Sequence, residues 1–146
     1  MRDLPRQLST EQLAELFEGE TPLVERLAQV EDPMGRGAED VLEALSHEEK
    51  VEALNAHPAI GARQLSQRSA EEQGAEADPA ILSELAYLNQ VYEEKFGFRF
   101  VVFVAGRPKR EILPVLSERI GRTREEELET GLQELVAIAR DRWTRT

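Results

Sequence analysis

Apolar residues recur along this chain at the three-to-four-residue spacing of helices, and Gly, Pro and small polar residues divide that spacing into short segments. Ser9 followed by Gln12 has the spacing of a capping box, so a first helix is expected through Phe17 with Gly19 ending it. Thr21 and Pro22 then open a second helix, LVERLAQV, and the two are expected to form a hairpin. After the turn-like DPMGRG, Glu39 to Leu45 carries a short helical pattern. Ser46 and Glu49 repeat the capping box ahead of a helix that bears Val51 and Leu54. Pro58 disfavours helical backbone at the residue before it, which predicts His57 at the helix exit and not on its face.

A polar stretch, GARQLSQRS, leads to Ser69 and Glu72, spaced as another capping box, and Asp78 with Pro79 opens the strongest helical pattern in the chain. In it Ile81, Leu82, Leu85, Leu88, Val91, Tyr92 and Phe96 follow a 3.6-residue period, which predicts one buried face ending at Gly97. The run FRFVVFVAG is different: aromatic and β-branched residues favour extended backbone, and no second run could supply a ladder partner. Its backbone groups must be satisfied in another way. Pro108 opens a helix to Ile120, with a bend expected near Pro114. Thr123 and Glu126 cap a last helix through Leu128, Leu132, Leu135 and Ile138 to about Trp143. The expectation is an all-α fold, a single multihelical domain over residues 1–146, with one short extended segment near 98–105.

Length and charge narrow the partners. At 146 residues the chain suits one domain, and its 40% apolar content can fill a core. Its net charge of −11 opposes nucleic acid, and no apolar run approaches the roughly 18 residues of a membrane span. The start MRDLPRQLSTEQ lacks the blocks of a secretory signal, so a cytoplasmic location is expected. With no Cys, a disulfide framework, a thiolate nucleophile and Cys-based metal sites are excluded, and two His at unsuitable spacing make any metal site improbable.

Few residues are left to carry chemistry. His47 lies among Glu48 and Glu49 and reads as solvated surface, whereas His57 stands where a proline-stopped bend can aim a side chain. Taken alone, His57 also fits a loop histidine with a satisfied hydrogen bond. Ser69 and Glu72 fit a plain helix cap, but a capped N-terminus also offers N–H groups to an anion, with Glu72 or Gln73 reaching into the same site. Arg140 and Arg142 suit the end of the last helix or an anion clamp. Arg107, Lys109 and Arg110 read as solvated charge beside the extended segment.

In order, AHPAIGA, SAEEQ, LNQVYEEKFGFRFVVFVAGRPKREIL and ELVAIARDRW resemble the family of 2-oxo-4-hydroxy-4-carboxy-5-ureidoimidazoline (OHCU) decarboxylases, over about Ser46 to Trp143. The resemblance implies that His57 and Glu72 are catalytic. It also implies that Pro58, Ser69, Gln73, Phe100, Val102, Val104 and Arg142 bind substrate, the stretch from Phe100 to Val104 lining the pocket. It further implies a homodimer, no cofactor, and stereospecific formation of (S)-allantoin in urate degradation. The sequence departs from the family pattern at Ala59, where many members have Asp, and at Arg99, where Pro is usual. Gly74 and Ala75 replace the usual residues after Glu-Gln, and the His-to-Ser spacing is short. Two other readings stand beside this one: a helical protein-binding module with an acidic surface, and a related lyase acting on another small ureido acid.

Overall fold

A computed structural model describes residues 3–59 and 78–145. Among them are seven helices: α1 (Thr10–Phe17), α2 (Pro22–Leu27), α3 (Arg36–Ala44), α4 (His47–Ala56), α5 (Pro79–Phe96), α6 (Lys109–Ile120) and α7 (Arg124–Arg145). The described residues contain no β-strand, as an all-α chain requires. None of these helices is long and apolar enough to cross a membrane.

Local chemistry sets most of the helix starts. Ser9 and Ser46 each accept from the backbone three residues on, while Gln12 and Glu49 reach back to the N–H of the capping serine. The backbone and hydroxyl hydrogen bonds from Ser46 hold the Glu49 carboxyl below its ordinary pKa. Thr21 caps α2, and Thr123 with Glu126 forms the same reciprocal pair ahead of α7. Helix α3 begins at Arg36, three residues before the apolar pattern does, because the Asp32 carboxylate accepts from the Arg36 N–H at 3.0 Å. Gly37 belongs to the same turn, where a Cβ would lie 2.2 Å from the Glu31 carbonyl oxygen.

Helix α1 stacks on α2, α2 contacts α3 and α4, and α7 spans the assembly, touching both α1 and α4. The α4–α7 contact is close, since a Cβ on Gly131 would lie 3.1 Å from Leu54 Cδ2. Helix α5 packs on α6, but its apolar face is not buried along its whole length. Leu85, Asn89, Tyr92 and Phe96 are buried, whereas Leu82 is 39% exposed and Ile81, Leu88 and Val91 are half-buried. Periodicity identifies the face of a helix, but neighbours decide how much of it is covered. Helix α6 runs through Pro114 as one element, and α7 continues past Trp143 to Arg145, where Arg145 pairs with Asp141 one turn earlier.

The segment after α5, expected to be extended, is neither helix nor strand, and Phe98, Phe100, Val101, Val102 and Val104 are all buried. Its polar groups are met largely by side chains. Arg119 Nη1 donates to the Val101 carbonyl at 2.8 Å, and the Phe103 N–H donates to Glu134 Oε1 at 3.3 Å. Arg107, expected as solvated charge, instead donates to the carbonyls of Val104 and Phe103 at 2.8 and 2.7 Å. The segment's unmet carbonyls draw that side chain back onto the backbone.

Behind the segment lies a buried ion network. Glu127, fully buried, accepts from the Tyr92 hydroxyl and from Arg119 Nε, both at 2.7 Å, and from Arg122 at 2.9 Å. The Arg119 guanidinium lies 4.6 Å from the centre of the Phe100 ring, which itself packs edge-on against Tyr92. Burial, reinforced by the bond to Glu127, pushes the Tyr92 hydroxyl pKa up, so the phenol stays protonated.

Candidate active site

Helix α4 ends as the sequence requires. His57 is its C-cap, extended at φ −80° and ψ 138°, with its N–H bonded to the Leu54 carbonyl at 3.2 Å. The residue is only 8% exposed, and its Nδ1 has no hydrogen-bond partner among the described residues. Burial lowers the His57 pKa to about 4; the charges of Arg142 and Arg99 act in the same direction, and Glu18 opposes them. The imidazole is therefore neutral at pH 7 and can accept a proton.

Arg142 comes from the far end of the chain. About three turns of apolar contact along α7, from Leu128 to Ala139, seat that helix in the core and carry Arg142 to a place where its side chain is fully buried. One guanidinium nitrogen, Nη1, donates to the Leu16 carbonyl at 2.8 Å; Nη2 lies 3.7 Å from Glu18 Oε1. Glu18 caps α1 in the left-handed conformation, φ 60° and ψ 38°, one residue before the glycine expected to end that helix. A non-glycine residue held there is strained, and the strain is offset here by a carboxylate placed against a buried cation.

Three groups from three parts of the chain thus act on one another electrostatically: the imidazole at the exit of α4, the guanidinium near the end of α7, and the carboxylate ending α1. The sequence pointed to His57 and Arg142. Glu18 was not singled out, although an acidic side chain at a helix C-terminus, where the dipole opposes it, is a signal that something else holds it. Pro58 is half-buried beside His57. Phe100, Val102 and Val104 are buried in the segment after α5, with the Phe100 side chain packed on Tyr92 and Arg119. Ser69, Glu72 and Gln73 lie outside the described residues.

The remaining candidates have structural occupations. His47 is exposed and contacts the Arg124 guanidinium, whose Nε donates to the Phe96 carbonyl at 2.9 Å. Arg140 donates to the Met34 carbonyl at 2.7 Å, tying α7 to the turn before α3. Among the described residues no cluster of three His, Asp or Glu side chains could hold a metal ion.

Fold and site together define an all-helical protein that keeps a neutral imidazole beside a buried guanidinium–carboxylate pair. The chain belongs to the OHCU decarboxylase family, whose model matches residues 2–144. It is 30% identical over 113 residues to the 2-oxo-4-hydroxy-4-carboxy-5-ureidoimidazoline decarboxylase of Halalkalicoccus jeotgali, covering 74% of this chain and 64% of that protein. It is 36% identical over 98 residues to the uric acid degradation bifunctional protein TTL of Arabidopsis thaliana, covering 60% of this chain and 30% of that protein. These matches therefore span less than two thirds of the relatives' own length. Among solved structures, an OHCU decarboxylase crystallised in the presence of (S)-allantoin superposes with a TM-score of 0.67 at 26% identity, over 93% of this chain and 90% of that one. An (S)-allantoin synthase shares the fold at a TM-score of 0.69 and 22% identity.

Proposed function

We propose that this protein decarboxylates OHCU to (S)-allantoin in urate degradation, without a cofactor. The observation that carries the reading is His57: a buried, neutral imidazole next to a buried guanidinium, in a chain of this family. Breaking the bond to the carboxylate leaves an electron pair on the substrate ring, and the flanking nitrogen and carbonyl groups of that ring can hold it. What the protein must supply is orientation, a proton acceptor and a proton donor.

In this reading neutral His57 takes the 4-hydroxyl proton as CO₂ departs and returns it to one face of the ring carbon, which fixes the hand of the product, while the ring nitrogen that held the electron pair takes a second proton from water. Arg142, with Nη1 on the Leu16 carbonyl and Nη2 facing Glu18, draws a carboxylate or ureido oxygen by its charge, and the Glu18 carboxylate limits how tightly that cation holds an anion that must leave as CO₂. Backbone of the segment from Phe100 to Val104 meets the ring oxygens, and Pro58 packs against the ring. Glu72 tunes His57 or orients the ring, while Ser69 and Gln73 read the hydantoin-like edge. The protein works as a homodimer in the cytoplasm.

The test is optical. Freshly generated OHCU decays spontaneously to racemic allantoin. Added protein is expected to speed the decay and to leave an excess of the S enantiomer. A racemic product at the uncatalysed rate overturns the reading and favours a binding module. Enantioselective turnover of a different ureido acid, with OHCU only a competitor, favours a related lyase.

A further inference from the structure

His57 has an unusual support problem. Its ring Nδ1 has no hydrogen-bond partner among the described residues, so the aim of the imidazole depends on how firmly its backbone is held. That backbone lies at a helix end, where the last carbonyls lack partners within the helix, and it is followed by a proline. Arg99, at the head of the segment after α5, makes two bonds to this helix end. Its N–H donates to Asn55 Oδ1 at 3.0 Å, and its guanidinium Nη1 donates to the His57 carbonyl at 2.8 Å. Its Nε lies 4.0 Å from Glu93 Oε1 on α5, which steadies the guanidinium from a third direction.

We infer that Arg99 is a positioning residue for His57, tying the exit of α4 to the segment after α5 so that imidazole and segment keep one register. This deepens the proposed function, because the segment matters as the wall that meets the substrate. A proline at position 99 would supply neither donor, and a lysine would supply a charge with one reach instead of a planar fork. The link lies beside an open groove of about 320 Å³ lined by Asn55, Glu93, Gly97, Phe98 and Arg99, and the Arg99 side chain is 39% exposed. Arg99 can therefore be changed without opening a hole in the core.

An arginine on the last carbonyls of a helix is also an ordinary cap, which stabilises and does nothing else. The two roles predict different measurements. Arg99→Met keeps the aliphatic stem and loses the donors. On a positioning role its kcat for OHCU falls about tenfold with KM within about twofold, because misplacement costs rate more than binding. Enantiomeric excess falls with it, and Arg99→Lys restores part of the lost kcat. Asn55→Ala, which removes the other bond and leaves the guanidinium in place, shows a smaller loss of the same kind.

A second readout does not depend on turnover. Among the described residues, the charged groups that act on the imidazole are Arg142, Glu18 and Arg99. Removing the Arg99 cation moves the His57 titration midpoint upward, followed by NMR of the imidazole in the folded protein. A folded Arg99→Met variant with unchanged kcat overturns the inference whatever its midpoint, since loss of the cation alone moves the midpoint, and leaves a plain cap. A raised KM at constant kcat overturns it too, since Arg99 then touches substrate. Should wild-type protein fail to make (S)-allantoin, the proposed function falls; the hold on His57 is then read from its imidazole NMR resonances, which broaden in Arg99→Met on a positioning role and stay as sharp as in the wild type for a plain cap.

Discussion

Two buried clusters in this molecule use nearly the same parts. One joins Glu127 to Arg119, Arg122 and Tyr92; the other joins Glu18 to Arg142 beside His57. In the first, the carboxylate accepts three hydrogen bonds at 2.7 to 2.9 Å, and Arg119 also holds a carbonyl of the segment after α5. In the second, the ion pair is looser at 3.7 Å, the carboxylate sits on strained backbone, and the imidazole ring keeps an unmatched nitrogen. A carboxylate that accepts three bonds makes a brace, even though Arg119 Nη2 has no hydrogen-bond partner among the described residues. The unmatched ring nitrogen of a neutral base leaves capacity for a proton, at a cost in stability that the rest of the fold must carry.

The largest effect that follows is on rate. His57→Asn keeps a polar side chain at the helix exit but cannot exchange a proton near neutrality. Its enantioselective turnover of OHCU is expected to fall by about 10²- to 10⁴-fold, the usual worth of a placed acid or base. Its melting temperature at pH 7 stays close to that of the wild type, because one buried polar side chain replaces another. Full-rate formation of (S)-allantoin, followed by optical rotation, would show that both clusters are braces.

The brace should answer in the opposite sense. Glu127→Ala leaves Arg119 buried with its principal partner gone, and the expected loss is about 3–5 kcal/mol in urea unfolding. Turnover per folded molecule changes far less than in His57→Asn. A variant as stable as the wild type would mean that Glu127 barely offsets its own burial, and the contrast between the clusters would fail.

How much of this could be read from residues alone depends on distance along the chain. The capping pairs at Ser9, Ser46 and Thr123 were legible because each is complete within four residues. His57 was legible because Pro58 is its neighbour. Arg107 was misread as solvated charge, since the carbonyls it satisfies become unmet only when the segment from Phe98 onward is buried. Glu18 pairs with an arginine at the opposite end of the chain, and no local spacing announces that. Helix α5 was assigned a longer buried face than it has, because periodicity carries no information about which neighbours reach it. For the candidate site, the short motifs singled out His57 and Arg142, whereas the bonds from Arg99 to the end of α4 required coordinates.

The smallest expected effect separates the clusters by pH. His57 binds a proton at an ordinary pKa of 6.5 in the unfolded chain and at about 4 in the folded one. Between those values the unfolded state holds more protons, so stability is lost as pH falls from about 6.5 toward 4. A shift of this size corresponds to ~3 kcal/mol. The difference in unfolding free energy between wild type and His57→Asn should therefore move by about that amount between pH 7 and pH 4, in favour of the variant in acid. Other titrating groups are common to both proteins and cancel. A difference that stays constant across this range would show that the folded protein does not hold its imidazole neutral, and would remove the base from the site.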